Sequence, residues 1–135
     1  MDAKEYLEQI GKLQRKINAM KLRSEEYERL SMSIPGPNYD RPIVDGTRSL
    51  EAPFVKWLMK KDEIDREIAK LEIKLKELQG EAILKIEEIE NEDYKNLLVL
   101  RYISLLNWDE IASKLFVVKR TIMRWHELAL SELKI

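Results

Sequence analysis

From Tyr6 the chain steps by fours and threes through Ile10, Leu13, Ile17, Met20, Ser24 and Tyr27. Lys, Arg, Glu and Gln fill most positions between, so the pattern predicts a helix over about 3–30 with one buried seam and solvated remaining faces. The same spacing returns in Trp57, Lys61, Ile64, Ile68, Leu71, Leu75, Leu78 and Ala82, which predicts a second helix over about 51–82. Leu58 and Ile73 stand beside this seam and are expected to widen it. Each seam has one polar break, Ser24 in the first and Lys61 in the second. Helices of this size reach about 40 Å. Two arrangements satisfy the seams: an antiparallel hairpin within one chain, or helices paired between chains in a homo-oligomer. A seam of Leu and Ile says that helix meets helix and carries no chemistry.

Between the helices, residues 31–50 hold Pro35, Pro37 and Pro42 with Gly36 and Gly46. Proline forbids helix continuation and glycine invites turns, which predicts a loop longer than helical hairpins usually need. It reads as a tolerated insertion or, alternatively, as a partner-binding loop.

Past Gly80 the apolar face continues through Ile83, Ile86 and Ile89. Asn91 can then cap a new helix whose first turn, Glu92 and Asp93, suits the helix dipole. Asn107 opens the next helix, and Glu110 three residues later completes a capping-box pattern. From Trp108 to Glu127 the side chains fit a helix-turn-helix place by place. Ile111 and Leu115 face inward, Ala112 is small at the helix crossing, Val117 plugs the turn, and Ile122 and Trp125 line the second helix. The expected fold is therefore all-α: a long coiled-coil helical hairpin stem over 1–82, followed by a helix-turn-helix domain over 83–135.

The outward positions of that second helix are Lys119, Arg120, Thr121, Met123, Arg124 and Glu127, with no acidic residue from Val117 to His126. A helix-turn-helix sets the start of its second helix in the major groove. Arg120 is then placed to read guanine, with Lys114, Lys119 and Arg124 on phosphates. Lys114, Lys119, Arg120, Thr121, Met123 and Arg124 form the candidate DNA-binding set. Bulk charge lends no help. Residues 1–82 carry sixteen basic and sixteen acidic side chains, residues 83–135 eight and nine, so DNA affinity must arise from local clustering.

Leu100-Arg101-Tyr102, Trp108-Asp109-Glu110-Ile111-Ala112 and Arg120-Thr121-Ile122 together resemble the DNA-binding region 4 of bacterial sigma factors. With His126-Glu127-Leu128-Ala129-Leu130 added, the chain looks like small phage and prophage sigma-region-4-like regulators, similar to ArpU- and RinA-type activators of phage late genes. The likeness extends to the N-terminal architecture, although only the C-terminal motif is specific. It implies a transcription regulator that binds double-stranded promoter DNA with host RNA polymerase as partner, in a bacterial cytoplasm. Two positions depart from the pattern. Phe116 stands where the turn usually has Gly, and Val118 where the residue before the second helix is usually Ser. A bulky residue at positive φ is an outlier, so the turn is expected to be rebuilt around the Phe116 ring, packed on the stem or a partner.

Chemistry of other kinds lacks a foothold. There is no cysteine and one histidine, and Glu127 next to His126 points elsewhere on a helix, so no metal site, catalytic residue or cofactor is expected. No apolar run approaches a membrane span and the N-terminus has no signal-peptide pattern. The Glu87–Asp93 acidic cluster reads as a solvated face. Beside the regulator stand two rivals: an interaction or structural module that no longer reads DNA, and a small terminase-type DNA-packaging adaptor.

Overall fold

A computed structural model describes residues 1–32 and 43–135, with side chains for 1–32 and 54–135. Every described element is helical. The order is α1 (Ala3–Met32), α2 (Ile43–Glu87), α3 (Glu92–Leu98), a π-helical stretch Val99–Ile103, α4 (Trp108–Leu115) and α5 (Lys119–Glu132). The chain divides into two compact units, residues 16–72 and residues 1–15 with 73–135. Helix α2 starts eight residues before the expected position 51 and continues past 82. Gly46, weighed as a turn former, costs about 1 kcal/mol inside a helix, an amount that tertiary context routinely overrides. The rest of the expected loop, 33–42, lies outside the described residues.

Within residues 16–72, the two helices meet along the expected seams. Ile17, Met20 and Ser24 are buried on α1, Ile64 and Ile68 on α2, and Tyr27 stacks on Trp57 with ring centroids 5.7 Å apart. Pairings of Tyr27 with Trp57, Ser24 with Asp65 and Lys21 with Glu72 run in opposite chain directions, so the helices are antiparallel within one chain. The two polar breaks face each other. Lys61 Nζ donates to Ser24 Oγ (3.1 Å) and to Asp65 Oδ2 (2.8 Å), and Ser24 Oγ donates to Asp65 Oδ1 (2.5 Å). Lys61 and Ser24 together hold the Asp65 carboxyl below its ordinary range, and Asp65 raises Lys61. A polar group in an apolar seam is satisfied in only one register, so this trio specifies the alignment. Leu58 and Ile73 are exposed rather than widening the seam, because a two-helix contact covers only a narrow stripe.

In the other unit, Tyr6, Leu7 and Ile10 of α1 and Leu75, Ala82 and Ile86 of α2 are buried. Lys85 Nζ lies over the Tyr6 ring at 5.6 Å, and burial beside Glu81 pushes the Tyr6 phenol up to about 12. Gly11 is buried as well, and a Cβ there would meet Leu105 at 3.5 Å. The start of α1 thus buries a second face, Leu7 and Gly11, that the single seam did not reveal.

Candidate nucleic-acid interface

The short helices of the C-terminal segment begin on side-chain caps. Asn91 Oδ1 accepts from the backbone N–H of Asp93 (2.9 Å) and Tyr94 (3.3 Å), which starts α3. At α4 the capping box is complete: Glu110 N donates to Asn107 Oδ1 (2.8 Å), and Asn107 N donates to Glu110 Oε1 (3.2 Å). Helices of seven and eight residues are too short to stand alone, so caps and tertiary packing must supply their stability.

That packing centres on Leu97, Ile111 and Ile122, all fully buried. Around them lie Leu100, Leu106, Trp108, Ala112, Leu115, Val117 and Trp125, which include every inward position expected of the α4–α5 pair. Next to this core the π-helical stretch sets Arg101 and Tyr102 against α4 and α5. Arg101 stacks its guanidinium over Trp108 at 4.2 Å and donates to the Leu106 carbonyl (3.1 Å). His126 is buried, meets Trp108 edge-on at 4.7 Å and shares a 2.6 Å hydrogen bond between Nε2 and the Tyr102 hydroxyl. Burial holds His126 below its ordinary range and pushes Tyr102 up to about 12. Arg101, Tyr102, Trp108 and His126 therefore act as a packed aromatic cluster.

The turn between α4 and α5 differs from expectation. Phe116 sits at φ 56° and ψ 40°, in the left-handed region. Its N–H donates to Ser113 O (3.4 Å), and Val117 N donates to Ala112 O (3.1 Å). This is the Schellman ending that normally takes glycine. Yet the Phe116 ring is 94% exposed, so the turn has kept its glycine geometry and was not rebuilt around the side chain. Backbone hydrogen bonds and the half-buried Val117 hold the turn, and the ring gains no contact among the described residues. Val118 has the extended backbone of an N-cap but contributes no capping hydrogen bond.

Helix α5 buries Ile122, His126 and Ala129. The candidate set lies on its remaining faces and on α4. Lys114, Lys119, Arg120, Met123 and Arg124 are exposed, whereas Thr121 is half-buried and less available. Lys119 pairs with Asp109 of α4 at 3.5 Å; among the described residues, Lys114, Arg120 and Arg124 form no ion pair. Sequence reasoning passed over two side chains on this surface, Val118 at 68% exposure and Phe116. Val118 was weighed only as a lost cap, and Phe116 as the centre of a rebuilt turn packed on the stem or a partner. Among the described residues no group of three His, Cys, Asp or Glu side chains is placed to hold a metal, and no helix is long and apolar enough to cross a membrane.

Residues 34–134 match the model of a family described as protein of unknown function, DUF1492, and the chain belongs to that family. Neither curated proteins nor solved structures provide a match.

Proposed function

We propose that the chain is a phage-type transcription regulator of a bacterial cytoplasm that grips promoter DNA through α4, the turn and α5, used as a helix-turn-helix. The observation that carries this reading is the two-sided character of α5. One side closes a core with α3 and α4, while the other offers Lys119, Arg120, Met123 and Arg124 with no acidic side chain from Val117 to His126. Lys114 adds a cation from α4. In this reading Arg120 takes a guanine edge, and Lys114, Lys119 and Arg124 neutralise phosphates. The α1–α2 hairpin serves as a stem for self-association or contact with host RNA polymerase. No catalytic role is proposed.

Three or four phosphate contacts imply a salt slope of about −3 per module, so one chain binds weakly at physiological salt and a dimer or polymerase must add affinity. The test is retention of the full chain on promoter fragments at two salt concentrations, after genome-wide occupancy has identified the fragments. Arg120→Ala is expected to reduce preference for the true site by about 1–3 kcal/mol. Arg124→Ala is expected to weaken binding to all sequences and flatten the slope by about one unit. Absence of enriched sites, with neither substitution changing retention, rejects the reading in favour of a protein-interaction module.

A further inference from the structure

The outer surface around α5 is not purely cationic. Val118 and Met123 are 68% and 41% exposed, and they stand among Lys114, Lys119, Arg120 and Arg124. Single exposed apolar residues are ordinary on protein surfaces. Val118 occupies a position where a polar residue would serve the chain alone better. Val118 has the N-cap backbone of α5 (φ −68°, ψ 148°), where Ser, Thr, Asp or Asn would accept a hydrogen bond that Val cannot. Met123 lies five residues further, exposed between Arg120 and Arg124 in the chain.

We infer that Val118 and Met123 are specificity-determining residues that read thymine methyl groups on either side of a guanine taken by Arg120. This rests on the DNA-binding reading above. The charge around the two side chains selects the occupant, since four cations suit the phosphate backbone and repel a basic partner. Thymine C5-methyl is the one apolar group that a base pair offers in the major groove, and apolar side chains recognise it by contact. Spacing agrees. Measured along the axis of α5, the five steps from the N-cap Val118 to Met123 rise about 7.5 Å, close to two base steps of about 3.4 Å, with Arg120 between them in height, and they turn through about 140°, so the two side chains diverge. Covering one methyl by an apolar side chain is worth about fourfold in binding.

The experiment selects sites from random DNA duplexes with the full chain, then replaces individual thymines in the recovered sites by deoxyuridine, which removes only the methyl. Recovered sites are expected to hold guanine flanked by thymine, and uracil at a flanking position should weaken binding about fourfold. Val118→Ser and Met123→Gln, each compatible with the helix, should each bind the thymine and uracil forms of one flank equally. Enriched sites that tolerate uracil at every position overturn this inference and leave the DNA reading intact. No enrichment, with no salt-dependent retention, overturns the DNA reading itself. If sedimentation of the free chain shifts in the Val118→Ser and Met123→Gln variants while uracil has no effect, the apolar pair serves self-association instead.

Discussion

Residues 16–72 and the helices after Asn91 use polar side chains for opposite ends. In the first region the informative polar groups sit inside a contact: Ser24, Lys61 and Asp65 bridge the two long helices and fix their alignment. In the second they sit at beginnings, where Asn91, Asn107 and Glu110 close the open N–H groups of short helices. Helix length explains the contrast. A long helix hardly depends on its ends but can slide along a partner, so it needs a pin. A short helix is mostly ends, and a three-sided core leaves it little freedom to slide.

The comparison breaks most visibly in the cores. Ile111→Ala should destabilise the C-terminal helices by about 3 kcal/mol, because the site is fully enclosed. Leu71→Ala, at a half-buried seam position, should cost clearly less. Equal losses in denaturant unfolding would mean that the two regions do not differ in depth. Next in size is the turn. With Phe116 left-handed and its ring in solvent, Phe116→Gly should stabilise the fold by about 1 kcal/mol. A lower melting temperature would show that the ring has a contact after all.

The pin and the caps should respond differently to removal. Asn107→Ala is expected to destabilise by about 1 kcal/mol, as lost caps do. Replacing Ser24 and Lys61 by Leu should leave melting nearly unchanged or raised, but should loosen alignment. Sedimentation would then show more than one association state where the parent chain shows one. The smallest expected effect is on pH. Unfolded His126 takes a proton near 6.5, whereas the buried ring resists it, so stability should decline as pH falls below about 6.5. Melts between pH 7 and 5 check this, and His126→Gln should flatten the decline. Asp65, lowered by Lys61 and Ser24, adds a separate loss only as pH falls through the carboxylate range, about 4 and below.

Much of the molecule is legible in its sequence because the signals are local. Heptad spacing located the buried faces from Tyr6 to Tyr27 and from Trp57 to Ala82, and both Asn caps and the inward α4–α5 positions could be read directly. What escaped depends on more than one neighbour. Leu7 and Gly11 are buried because α1 has a second contact there, and a single-seam pattern cannot register it. The π-helical stretch adds a residue to the turn without changing composition. At Phe116 the side chain pointed to a remodelled turn, while the backbone hydrogen bonds of α4 and Val117 accompany the left-handed turn that glycine usually takes. Of the candidate DNA-contacting residues, their exposure was legible. Thr121 is half-buried because it flanks Ile122, close to the buried side of α5.

The union of residues 1–15 with 73–135 bears on how the chain is born. Tyr6 meets Lys85 and Gly11 meets Leu105, so the first turns of α1 leave the ribosome well before their neighbours exist. At translation speeds of about 5–20 residues per second, Leu7 and Ile10 wait on the order of ten seconds with their apolar surface uncovered. The seam of residues 16–72 can close earlier, and the helices after Asn91 pair with near neighbours as soon as they emerge. The start of α1 is therefore the stretch that waits longest for its partners during synthesis.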